Sequence, residues 1–191
     1  MKGTLAVTGD PNADELVNTD PLALLIGMLL DQQVPMEWAF LGPSLLQERL
    51  GRLDAAEIAA MDPDDFLKAA KGPRAIHRFP KAMAKRIQEL CAALVEHHGG
   101  KAENVWKGAK TGDELLHRLK ALPGYGDEKA RIFVAILAKR FGVRPDGWQE
   151  AAGPFGDDTP RSVADIHDAT SLAEVRAWKK AKKAAGLTKQ D

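Results

Sequence analysis

Leu122-Pro123-Gly124-Tyr125-Gly126 stands between two strongly helical stretches, and its reading decides what the chain folds into. On its N-terminal side, residues 113–121 place Leu115, Leu116 and Leu119 on one face behind the acidic start Asp113-Glu114. On its C-terminal side, residues 127–140 carry Ala130, Phe133, Val134, Ile136 and Leu137 as an apolar stripe broad enough for a buried helix. Residues 113–140 therefore read as helix, hairpin, helix. Two glycines around one bulky residue let the backbone turn tightly and leave the first N–H groups of the next helix pointing outward. Such a helix start receives a phosphate diester on backbone N–H groups and the positive end of the helix dipole, without reference to base sequence. A plain C-cap glycine followed by an αα-turn uses the same residues, so the surroundings have to decide between the two.

Those surroundings are helical. Leu, Ala, Lys, Arg and Glu dominate the 191 residues, and alternating β-branched runs are nearly absent, which predicts an all-α protein. With 45% hydrophobic content the chain can bury one sizeable core or two small lobes. The longest apolar run, residues 22–30, is shorter than the roughly 20 residues a bilayer demands. Met1-Lys2-Gly3-Thr4 has no apolar signal segment, and a soluble, cytoplasmic protein with no membrane association is expected.

Cys91 is the sole cysteine, which excludes internal disulfides and any four-cysteine metal or iron-sulfur cluster. It falls in the apolar register of its helix and reads as a small buried hydrophobe. The five histidines are scattered, and the neighbours His97 and His98 point different ways on a helix, so no metal site is expected.

The formal net charge of zero conceals an asymmetry: residues 1–70 carry a net −8, residues 71–144 a net +9 and residues 145–191 a net −1. The positive block gathers Lys71, Arg74, Arg78, Lys81, Lys85 and Arg86 close in sequence to the hairpin. Alone it reads as a solvated face; beside a phosphate-binding hairpin it reads as a phosphate track.

Along the chain, residues 1–21 read as a loosely structured lead-in with a turn at Thr8-Gly9-Asp10-Pro11-Asn12, and Asp20-Pro21 starts a buried helix. Residues 54–60 and 63–70 read as short helices with acidic starts, and Phe79-Pro80 breaks the chain before a long helix to His98. Residues 99–112 read as a loop around Val105-Trp106. Asp146 reads as the N-cap of a short helix over residues 147–152, Thr159-Pro160 opens another over residues 161–165, and Ser171 caps a last, lysine-rich helix.

Taken together, residues 22–146 resemble the helix-hairpin-helix (HhH-GPD) DNA glycosylase superfamily, the endonuclease III-like base excision repair enzymes. Leu24-Leu25-Ile26-Gly27-Met28-Leu29-Leu30-Asp31-Gln32-Gln33 is similar to the family's early buried helix and glutamine-bearing turn. Residues 81–100 resemble the helix before the hairpin, and Phe141-Gly142-Val143-Arg144-Pro145-Asp146 resembles the loop that ends in the catalytic aspartate. The resemblance implies a two-lobed fold, with residues 22–141 as a six-helix lobe and residues 1–21 plus 142–191 as the second, and a site in the cleft between them.

The resemblance implies a partner, double-stranded DNA with a damaged or mismatched base, and a monomer acting in the cytoplasm on the nucleoid. It also implies roles. Asp146 would be the catalytic carboxylate, the backbone of Gly124, Tyr125 and Gly126 would grip a phosphate, Gln33 would fill the gap left by the flipped base, and Gln32 would contact DNA. Arg78, Lys81 and Lys129 complete the implied DNA contacts. No iron-sulfur cluster is expected, and at most a monovalent cation at the hairpin. Lyase-competent members carry a lysine two residues after the last hairpin glycine; here that position is Glu128. Lys129 lies one place later, about 100° further round the helix, which weakens it and Glu128 as catalytic residues. The expected activity is a monofunctional DNA N-glycosylase. Against it, Asp127 and Glu128 stand where a phosphate should dock and can satisfy the exposed N–H groups themselves. The alternative is a non-catalytic relative that binds DNA structure, or a helical protein-interaction module.

Overall fold

The computed structural model describes residues 2–188 and 190. The chain divides into two compact units, residues 8–107 with 122–124, and residues 1–7 with 108–121 and 125–191. Both hairpin helices thus group with the C-terminal elements, a different boundary from the split at residue 141 that the resemblance implies. Among the described residues there are ten α-helices, three short 3-10 helices and no strand beyond one isolated bridge.

The first unit begins with α1 (Pro11–Thr19), where a loose lead-in was expected. Asp10 accepts the N–H groups of Asn12 and Ala13, and Pro11 fixes the first helical φ. The Asp-Pro pair that reads as a turn after Gly9 is therefore a helix start, of the same kind as Asp20-Pro21. Helix α2 (Pro21–Leu30) is capped by Asp20, and every residue from Leu22 to Leu30 is buried. Each large aliphatic chain in it is worth on the order of 1.5–3 kcal/mol of burial, and α2 is the axis on which α1 and α3 (Met36–Leu50) pack.

Helices α4 (Ala55–Ala60) and α5 (Pro63–Lys71) follow, capped by Asp54 and Asp62 as their acidic starts predict. They lie on α6 (Pro80–His98), whose buried Met83, Ala84, Ile87, Leu90, Cys91 and Leu94 recur at helical spacing. The Gln88 amide donates to the carbonyls of Ile58 and Met61 and ties α6 to the C-terminal end of α4. Two side chains of α3 fasten the connection before α6: Trp38 Nε1 donates to Ala75 O at 2.8 Å, and the Arg49 guanidinium donates to Ala69 O and Arg74 O. The expected loop after His98 contains a 3-10 helix, Ala102–Val105, with Val105 and Trp106 buried.

In the second unit, α7 (Gly112–Lys120) is capped by Thr111 and packs on α8 (Asp127–Arg140). The expected stripe of α8 is buried, and Ile132, Ala135 and Ala138 are buried with it, so this helix is enclosed on nearly all sides. Helix α9 (Trp148–Ala152) takes Gly147 as N-cap, with no capping side chain; the Asp146 carboxylate does not fill the capping role expected of it. Residues 161–165 shorten to a 3-10 helix, Val163–Asp165, capped by Ser162. Helix α10 (Ala169–Ala184) is capped by Asp168, and Ser171 closes the capping box from the third helical position. Asp is as good a cap as Ser, so the cap lies three residues before the serine and the helix starts at Ala169. The Lys139–Asp165 ion pair, 2.6 Å with side chains 10% and 9% exposed, joins α8 to the 3-10 turn. No helix among the described residues is long and apolar enough to cross a membrane.

Candidate functional site

Within the first unit, Gly124 adopts φ +82°, a conformation that costs any other residue energy. A Cβ on it would lie 2.3 Å from Leu29 Cδ1, so the hairpin loop is seated directly on α2. Close approach as well as the turn requires glycine here.

Within the second unit, Tyr125 is 3% exposed, its ring edge-on to Phe133 with centroids 5.8 Å apart. Burial pushes its hydroxyl well above the usual tyrosine range. The enclosed ring anchors the start of α8 to that helix's own apolar face, which leaves the backbone of Tyr125 as its part of the hairpin turn. Gly126 has an ordinary extended backbone, φ −72° and ψ 175°, and a Cβ there would meet nothing within 4 Å. It leaves open space in front of the helix start instead of providing special torsions.

Among the described residues no side chain caps α8. The Asp127 carboxylate turns aside to Lys120 Nζ at 2.8 Å and Arg131 Nε at 2.7 Å, and these hydrogen bonds hold it below the usual carboxylate range. Glu128 Oε2 accepts from Gln190 Nε2 at 3.2 Å. Lys129, half-buried, stands one step round the helix from the family's lysine position.

Asp146 is fixed by its main chain. Its N–H donates to Lys110 O at 3.1 Å and its carbonyl accepts from Gly112 N–H at 2.7 Å, a short bridge beside the entry to α7. The approach is tight, since a Cβ on Gly112 would lie 2.5 Å from Gly147 O. Pro145 is buried and Asp146 exposed, so the backbone is pinned while the carboxylate is presented to solvent.

In the first unit the turn after α2 is built around Gln32 and Gln33. Gln33 holds φ +56°, the one non-glycine residue with positive φ among the described residues, and its side chain is exposed. Gln32 faces inward: its amide donates to Leu29 O at 2.9 Å and its Oε1 accepts from Arg86 Nη1 at 2.8 Å. His77, fully buried, completes the turn. Phe79 N–H donates to His77 Nδ1 at 3.0 Å, so the ring proton is on Nε2, which donates to Gln32 O at 2.8 Å. A cavity of about 140 Å³ lies among Gln32, Gln33, His77, Phe79, Met83 and Arg86.

Arg78 and Lys81 are exposed, and the Arg78 guanidinium lies 4.8 Å over the Phe79 ring, itself 44% exposed. Both basic side chains line one edge of a larger groove floored by Leu67, Phe79 and Pro80. Sequence reasoning missed His77, Phe79 and Arg86 as parts of this corner. Phe79 reads as a helix-breaking neighbour of Pro80, Arg86 is one cation in a block, and nothing local marks His77.

An iron-sulfur cluster does not fit this chain. Cys91 is its single thiol, and burial pushes that thiol up to about 12, leaving it protonated. Among the described residues no three His, Cys, Asp or Glu side chains converge to hold a metal.

The family model for the HhH-GPD superfamily of base excision DNA repair proteins matches residues 26–190. No match is found among curated proteins. The family match takes in the Gln32-Gln33 turn, the hairpin and Asp146 and extends over well more than half of the chain. By that match and by its all-helical fold, the chain belongs to the HhH-GPD superfamily of base excision DNA repair proteins.

Proposed function

We propose that this protein is a monofunctional DNA N-glycosylase that removes a damaged or mismatched base from double-stranded DNA. The observation that carries the reading is the first turn of α8, which no side chain among the described residues caps, because Asp127 is drawn to Lys120 and Arg131 and Glu128 bonds Gln190. Had either carboxylate folded back onto those N–H groups, the hairpin would be an ordinary turn. As it is, the helix start is suited to a phosphate, and Gly126 leaves room for one.

A base inside a duplex is out of reach, so the nucleotide must be flipped into the protein. Gln33, exposed on a strained and internally braced turn, is suited to fill the gap left behind. The C1′–N bond then breaks, the base leaves with the bonding electron pair, and the sugar passes through an oxocarbenium-like state. An ionised Asp146 stabilises that cation and accepts a proton from the water that adds to C1′. Pinning the Asp146 main chain lowers the freedom the carboxylate must lose to do so. Glu128 occupies the position of the lyase lysine, and a carboxylate forms no imine with the sugar.

The test is a panel of duplexes carrying uracil, an oxidised purine, an alkylated purine or a mismatch, incubated with purified protein and analysed with and without hot alkali. Strand breaks that need alkali support the reading. Duplex binding without base release from any of them would leave a non-catalytic DNA-binding member of the family.

A further inference from the structure

The C-terminal helix carries a cationic face that the proposed reaction does not use. Arg176, Lys179, Lys180, Lys182 and Lys183 fall within eight residues, and no carboxylate occurs from Val175 to Thr188. Favourable interaction with the helix dipole accounts for cations in the last turn, here Lys182 and Lys183. It does not account for the three cations before that turn, nor for where the face lies. A recess joins Trp178, Lys179, Lys182 and Lys183 of α10 and Leu187 to Glu128, the second residue of α8. The lysine-rich face therefore borders the uncapped helix start proposed to receive a phosphate.

The geometry of the face is held by Trp178. Its ring has the Lys182 ammonium at 5.2 Å and the Arg161 guanidinium at 5.3 Å, and Arg161 is itself buried and ion-paired to Asp157 at 2.8 Å. One end of the lysine row is thus referenced to the body of the second unit.

We propose that this face of α10, through Lys182 and Lys183, is a second backbone-binding surface for the same duplex, taking a phosphate neighbouring the one held at the start of α8. Isolated ammonium groups in water gain little from single ion pairs, whereas a polyanion with regularly spaced charges releases a counterion for each phosphate neutralised. Charge complementarity is what selects DNA here. Among the described residues, Glu128 is the carboxylate that lines the recess, and it opposes that charge. The proposal rests on the DNA-processing reading above and extends its footprint.

The experiment measures duplex affinity against salt for the full chain, for the double variant Lys182→Gln/Lys183→Gln and for Glu128→Gln, with circular dichroism as the check on folding. For two lost phosphate contacts the slope of log K against log salt should flatten by about 1.8. Glu128→Gln, which removes the opposing charge, should bind more tightly than the parent. If the parent binds with a salt slope that the lysine variant retains, or if Glu128→Gln binds more weakly, the second surface is overturned while the hairpin reading stands. If the parent shows no salt-sensitive duplex binding at all, both fall, and an acidic protein becomes the partner to seek.

Discussion

His77 Nε2 donates to the backbone carbonyl of Gln32 at 2.8 Å, across 45 residues, while the other ring nitrogen accepts from Phe79 N–H at 3.0 Å. One neutral, buried imidazole thereby locks the turn that presents Gln33 to the start of the segment leading into α6. His77→Ala leaves a carbonyl and an N–H unpaired, each at roughly 1–3 kcal/mol. Thermal melting should fall accordingly. A purely structural role would weaken binding to all duplexes equally. The expected result is a selective loss of affinity for a duplex with an abasic gap relative to undamaged duplex, and equal losses would remove His77 from any role in DNA entry.

Asp146→Asn should keep the fold, because the hydrogen bonds to Lys110 and Gly112 are made by the main chain and are unchanged. It removes the charge that is proposed to face the sugar cation. Single-turnover base release should drop by about 100-fold or more, with duplex affinity within about threefold of the parent. An unchanged rate would move the search to Asp157 and Asp158, both exposed on the loop after Gly156.

The two hairpin glycines should behave oppositely. Gly124→Ala meets Leu29 and an unfavourable φ of +82°, and should lower stability by about 1–3 kcal/mol. Gly126→Ala has ordinary torsions and open space, and should melt like the parent. Its cost should appear only in duplex affinity, equally for all sequences. If the folded Gly126→Ala protein binds as tightly as the parent, the helix start is not a phosphate site.

Borohydride added during base release should trap no protein–DNA adduct, because Glu128 holds the lysine position and Lys129 lies about 100° further round α8. An adduct lost in Lys129→Ala would make Lys129 a catalytic amine and the enzyme a lyase.

Cys91 should resist thiol reagents at pH 8 in the native protein and react at once in denaturant, since burial raises its thiol to about 12. The sign follows from the raised value. The unfolded thiol ionises near pH 8.5 and the folded one does not, so stability should fall as pH rises from about 9 towards 12. Cys91→Ala should remove the part of that slope that begins at about pH 8.5, leaving the part above about pH 10 that belongs to the buried Tyr125 hydroxyl.

Much of the fold is legible in the amino-acid sequence because helices are set by interactions within four residues. Asp20-Pro21 starts α2, acidic residues start α4 and α5, and the stripe of α8 is visible as printed, as is the hairpin between α7 and α8. Where two local rules compete the pattern is ambiguous, as at Asp10-Pro11 after Gly9, whose residues suit a turn as well as the helix start they form. The site is a different matter, since its chemistry depends on partners far apart in sequence. That Tyr125 is an anchor, that Asp127 leaves the α8 N–H groups uncapped, that His77 braces Gln32 and that Asp146 is pinned beside Gly112 are all outcomes of packing. Periodicity and capping specify which residues become helical; only the burial of one helix against another decides which polar groups are consumed internally and which are left to meet a ligand.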